Sequence, residues 1–138
     1  MKPAVILGFA AVLALTAAAS AQISPFLSGN VVKIGVLTDM SSLYSDIGGP
    51  GSVEAAKMAI ADFGGTVNGK RIDLLSADHH NNPDLGAAIA NQWFAYNSVD
   101  VIVDVPTSSV ALAVQEVAHS RGKVFLISGA AASDLRKV

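Results

Sequence analysis

Cysteine is absent from this 138-residue chain, which excludes a disulfide framework and any thiolate-based metal or redox chemistry. Charge is sparse as well. Charged residues make up 14%, with nine Lys and Arg set against eleven Asp and Glu, for a net charge of −2. So even a balance gives no basic footprint for nucleic acid, and no nucleic-acid partner is expected. The nucleotide fingerprints G-x-G-x-x-G and G-x-x-x-x-G-K-S/T are both missing, although Gly48-Gly49-Pro50-Gly51 has the small residues of a phosphate-binding turn. There is no internal repeat, and the length suits one domain.

What is present begins with a positive charge at Lys2 and an Ala/Leu/Val-rich run from Pro3 to Ala19. Ala19-Ser20-Ala21 then matches a small-x-small cleavage site, so residues 1–21 read as a secretory signal peptide, cut after Ala21, and the mature chain is expected in the periplasm. A retained membrane anchor is the alternative. The run is short for a span and its alanines make it weakly apolar, so no membrane insertion is expected after cleavage. Residues 22–30, with Ser24, Pro25, Ser28 and Gly29, read as a linker.

The remaining stretch, 31–138, alternates strand and helix patterns. Val31 to Asp39 is a short, nearly all-apolar run with β-branched residues, as in a strand buried on both faces. Pro50 opens a helix whose apolar face is Val53, Ala56, Ile60 and Phe63, and Gly64-Gly65 ends it. Asn68-Gly69 marks a turn, and Arg71 to Ala77 makes a second strand whose polar residues suit a sheet edge. Asn82-Pro83 caps a second helix, with Leu85, Ile89, Trp93 and Tyr96 as its buried stripe. Val99 to Val105 is the third strand, and Val110, Ala113, Val114 and Val117 line the third helix. Lys123 to Ser128 is the fourth strand, apolar along its length. Ser133 stands where it could cap a further helix. Short connections between these elements predict right-handed βαβ units on a parallel sheet, with strand order 2-1-3-4.

In such sheets ligands sit beyond the carboxyl ends of the strands. Three loops occupy those places: Asp39 to Gly49, Pro106 to Ser109, and Gly129 to Ser133. Small residues admit a ligand close to the backbone, and helix N-termini direct free N–H groups there, favouring a carboxylate. Among Thr107, Ser108 and Ser109, one hydroxyl is expected to cap the third helix while its neighbours face the cleft. His79-His80, near Asp78 and Asp84, invites a metal reading. Adjacent loop histidines do not easily face one ion and no third ligand has diagnostic spacing, so neither a metal nor another cofactor is expected. Asp39 and Asp104 at strand ends suggest an acidic site but lack a nucleophile with a positioned base, so no catalytic residue is assigned. An exported flavodoxin-like or Rossmann-like enzyme domain, or an extracytoplasmic sensor of similar fold, is the rival reading.

The strand-and-loop opening Ile34-Gly35-Val36-Leu37-Thr38-Asp39, the helix starting near Gly49-Pro50 and the linked segments through Leu135 resemble the periplasmic substrate-binding proteins of branched-chain amino acid-type ABC transporters. The resemblance implies a type I periplasmic-binding fold, no enzymatic activity, and a small carboxylate ligand passed to an inner-membrane ABC permease. In that family, a Ser/Thr cluster after the third strand and an Ala-Ala-Thr-type loop after the fourth hold the ligand carboxylate. Thr107, Ser108, Ser109, Ala130, Ala131 and Ala132 occupy those positions. Ala132 stands where a threonine is common, which removes one side-chain donor. Tyr44 matches the aromatic residue that lies against the ligand. The histidine pair falls where the family has a lobe-surface or hinge-side stretch without metal. The family also has a second lobe, so 31–138 is expected to be a truncated N-terminal lobe. Its unpaired fourth strand would then leave it poorly folded and weakly binding by itself.

Overall fold

The computed structural model describes residue 27 and residues 29–136. The expected signal peptide and most of the expected linker lie outside the described residues. β1 (Val31–Thr38) leads to α1 (Gly49–Asp62) and a hairpin of β2 (Thr66–Val67) and β3 (Lys70–Asp78). Next come α2 (Pro83–Tyr96), β4 (Val101–Asp104), α3 (Ser108–Ser120), β5 (Val124–Ile127) and a 3-10 turn at Ser133–Arg136. The sheet order is β2-β3-β1-β4-β5. All neighbours are parallel except β2 and β3. The four longer strands thus stand in the expected order. The edge position anticipated for Arg71 to Ala77 is modified by the two-residue β2, which pairs with Lys70 and Arg71 through the Asn68-Gly69 turn.

Register decides where the loops emerge. Thr38 pairs with Asp78, Leu37 with Asp104, and Asp104 with Ile127, so four strands end nearly level. The segments that follow them therefore share one edge of the sheet.

The core lies between the sheet and the α2–α3 pair. Leu37, Val99, Ile102, Val105, Val110 and Val114 are wholly buried there, with Trp93 and Phe94 beside them. Two glycines allow the layers to meet. A Cβ on Gly35 would lie 2.4 Å from the Trp93 ring, and one on Gly86 would lie 2.5 Å from Val110 Cγ1. The indole therefore lies against the β1 backbone, and α2 seats directly on α3.

This packing corrects the expected stripe of α2. Tyr96 is 82% exposed, while Gly86, Ala90, Trp93 and Phe94 are buried. The close approach at Gly86 rotates the contact face toward that set, and the amphipathic phenol of Tyr96 tolerates water. On the opposite sheet face α1 packs alone among the described helices. Val53, Ala56 and Ile60 are only half-buried, and Phe63, expected on the apolar face, caps the helix at 65% exposure. A groove of about 330 Å³ opens beside it, lined by Ile34, Ile60, Phe63, Ile72 and Val103 among others. Along β5, Phe125 and Ile127 pack on the core, while Val124 and Leu126 alternate to the other face and stay exposed.

Candidate functional site

β4 ends in a sharp bend. Asp104 (φ 82°) and Val105 (φ 56°) both adopt left-handed backbone, which is uncommon for non-glycine residues and most of all for the β-branched valine. Three bonds hold the bend: Val105 N–H donates to Leu37 O, Ser128 N–H to Asp104 O, and Ser128 Oγ–H to Asp104 Oδ1. The bend turns Pro106 and Thr107 across the sheet edge and aims the N-terminus of α3 at the loop after β5.

There the candidate residues separate into those that meet and those that do not. Ser108 Oγ accepts the N–H groups of both Ala131 and Ala132, each at 3.2 Å, so the Ser/Thr segment and the alanine loop are tied by one hydroxyl. Ala130 instead packs against the core, and Ser109 is exposed. Thr107 is 7% exposed and stands at the N-cap of α3, but no side-chain cap bond forms. The expectation that one of the three hydroxyls caps the helix is therefore corrected. Ser108 faces the alanine loop instead, and Thr107 Oγ1 is buried with no hydrogen-bond partner among the described residues. The first turn of α3 thus directs N–H groups at this corner without a side-chain acceptor.

Tyr44 lies half-buried in the loop after β1, on the same sheet edge. Asp39 builds that loop. Its carboxylate accepts Ser42 N–H at 2.9 Å, Tyr44 N–H at 2.9 Å and the Ser42 hydroxyl. Burial pushes the carboxyl up, but the Ser42 and Tyr44 bonds outweigh it and hold Asp39 below the usual carboxylate range. The loop closes onto the sheet at Gly48, where a Cβ would stand 2.9 Å from Thr38 Oγ1 and 3.1 Å from Asp104 Oδ2. A side chain here would displace the loop from the strand ends.

Sequence reasoning weighed a second carboxylate only as a metal ligand. Asp78, the last residue of β3, accepts Met40 N–H at 3.0 Å and His80 N–H at 2.8 Å on Oδ1. Its Oδ2 accepts the Ser41 hydroxyl at 2.6 Å and lies 3.1 Å from His80 Nδ1. Burial again raises and these bonds lower, leaving Asp78 below its ordinary value. Only its pairing opposite Thr38 could have pointed to these bonds, and pairing is not written in a single strand's residues.

The adjacent histidines face different ways. His79 is wholly buried, and its Nδ1 accepts Asn81 N–H at 3.0 Å, so of the pair it is not the one at the lobe surface. Its neighbour His80 is exposed and joins Ser41 and Asp78. No group of three or more potential metal ligands occurs among the described residues. Ser41, His80 and Asp78 are the residue types of a nucleophilic triad, but the contacts run in a different order. Ser41 O–H donates to Asp78 Oδ2 at 2.6 Å, with His80 Nδ1 2.7 Å from the same hydroxyl, so the carboxylate meets the serine directly instead of through the imidazole as in a triad.

Level strand ends, a parallel sheet and three ligand-sized loops on one edge define a lobe of the type I periplasmic-binding fold. A family model described as periplasmic binding protein matches residues 31–137, and the chain belongs to that family. The structure of a periplasmic binding protein from Burkholderia mallei matches with a TM-score of 0.74 and 48% identity, over 77% of this chain and 28% of that one. A branched-chain amino acid ABC transporter periplasmic ligand-binding protein from Burkholderia xenovorans LB400 matches at 44% identity and TM-score 0.71, over 73% of this chain and 27% of its own. A solute-binding protein of an ABC transporter from Rhodopseudomonas palustris BisB5, in complex with 3,4-dihydroxybenzoic acid, shares the fold at 24% identity and TM-score 0.71, over 78% and 29% of the two chains. Comparison with curated proteins gave no match. The chain spans just over a quarter of the length of these solved relatives.

Proposed function

We propose that this chain forms 31–138 of the N-terminal lobe of a periplasmic solute-binding protein, which captures a small carboxylic acid and delivers it to an inner-membrane ABC permease. The observation that carries the reading is the corner where Ser108 Oγ meets the Ala131 and Ala132 N–H groups beside the uncapped start of α3. The Ser108 hydroxyl proton, oriented by those two N–H groups, and the N–H groups at the start of α3 together suit a carboxylate. Thr107 Oγ1, buried and without a partner among the described residues, adds a group that a ligand oxygen would satisfy. Tyr44, Ser109 and Ala130 complete the proposed wall, with Tyr44 against the ligand body. Relatives named for branched-chain amino acids and for an aromatic acid agree on the carboxylate and differ in the rest, so the ligand class stays at amino acid or aromatic or other organic acid. No catalytic step is proposed.

Calorimetry of the polypeptide encoded by the full reading frame, against amino acids, aromatic acids and dicarboxylates, tests this. Saturable binding of one such acid is expected, weakened about tenfold by Ser108→Ala through loss of a charge-assisted bond. Turnover of any of them, or tight binding of a nucleotide alone, would sink the reading.

A further inference from the structure

Asp78 belongs to β3, yet half of its bonds go to another segment. Met40 N–H and the Ser41 hydroxyl come from the loop after β1, while His80 N–H and Nδ1 come from the turn after β3. Thr38 and Asp78 are the last pair of the β1–β3 ladder, which sets this carboxylate beside the point where the β1 loop leaves the sheet. The turn on its other side is itself tense: His80 (φ 49°) and Asn81 (φ 53°) are consecutive non-glycine residues in the left-handed region. That turn is pinned by His79 Nδ1 and by Asp78. Four residues beyond Ser41, the same loop has passed through Leu43 and Tyr44. It exposes Leu43 at 77% and Ile47 at 74%, so little apolar packing anchors its tip. The near half of the loop is held by carboxylates: Asp39 from within, at Ser42 and Tyr44, and Asp78 from the neighbouring strand, at Met40 and Ser41.

We infer that Asp78 is a positioning residue for ligand capture, clasping the Tyr44-bearing loop to the β3–α2 turn through Met40, Ser41 and His80. The assignment of Tyr44 to the ligand rests on the function proposed above, but the clasp itself does not. Asp39 closes the loop's turn from within, and the far end of the loop is tied to β1 where Gly49 N–H donates to Thr38 Oγ1 at 3.0 Å. Asp78 fixes where that turn sits, and thereby the distance from Tyr44 to the Ser108 corner.

Hydrogen exchange on the protein, with and without Asp78→Ala, separates this from a general stabilising role. Amides of Met40 to Tyr44 should exchange about tenfold faster in the variant, the factor expected from losing a bond to a charged group, while amides of β4 and α2 keep their rates. Ser41→Ala, at an exposed hydroxyl, should raise exchange in the same segment by less. A rise spread evenly through β4 and α2, or wild-type exchange at 40–44 in both variants, would overturn the inference. If Asp78→Ala does not fold, Ser41→Ala decides by the same two outcomes. A double-mutant cycle with Tyr44→Ala adds the functional arm, using whichever of L-leucine, benzoate or succinate binds best. The losses should be non-additive, with Asp78→Ala costing little further affinity once Tyr44 is gone. Full additivity would overturn the link to capture. If none of the three acids binds wild-type protein, the proposed ligand class fails, and the exchange data still decide the clasp.

Discussion

His79 Nδ1 accepts the Asn81 N–H, so the neutral imidazole carries its proton on Nε2, inside the fold and without a partner among the described residues. Burial pushes its pKa below the ordinary 6.5, opposed by the carboxylates of Asp39, Asp78 and Asp104. The sign of the resulting pH effect follows from linkage. As pH falls through 6.5 the unfolded chain takes up a proton that the folded chain refuses, so stability present above 6.5 is lost toward the depressed folded value. Asp39 and Asp78 are held below 3.8, so their contribution is lost only below that pH. Between pH 7 and 5, among these three groups, His79 alone sets the slope. Thermal melts of the wild type should therefore fall over that window. His79→Asn, whose Oδ1 can still accept the Asn81 N–H, should show a shallower fall from a lower start. An equal slope in both would remove His79 from the account.

At the scale of elements, caps and close approaches matter more than propensity. Asn82 Oδ1 accepts Leu85 N–H at 3.1 Å and Pro83 opens the helix, so α2 starts as the Asn-Pro pair dictates. Asn82→Ala should cost about 1 kcal/mol in a denaturation experiment, and no measurable change would show that packing alone fixes the start of α2. By contrast α3 starts with no side-chain cap: Thr107 at the N-cap makes no cap bond, and Ser108 turns to Ala131 and Ala132. A Thr-Ser-Ser run reads equally well as a cap or as a ligand corner, and the choice depends on whether another loop arrives with free N–H groups. Tyr96 and Phe63 show the same limit. Helical spacing marks both as apolar, while the faces actually covered were set by Gly86 against Val110 and by the lone packing of α1.

For the whole molecule, membership of the periplasmic binding protein family implies a periplasmic location, and cleavage after Ala21 is the expectation to be tested. Mass spectrometry of the periplasmic fraction should find a mature chain beginning at Gln22. An intact Met1 in the membrane fraction would favour the anchor. Among the described residues no helix is long and apolar enough to cross a membrane.

The sequence by itself determined the alternation of strands and helices, the 2-1-3-4 order of the main strands and the sheet edge at which the three loops emerge. Those follow from short-range apolar periodicity, turn residues and the handedness of βαβ units. Only the tertiary structure decided that Asp78 holds the β1 loop, that His79 is buried while His80 is exposed, and that Ser108 ties the alanine loop to α3. Each of those depends on register between strands far apart in the chain. A polar side chain's partners are chosen by what the sheet brings level with it, and no local pattern carries that information.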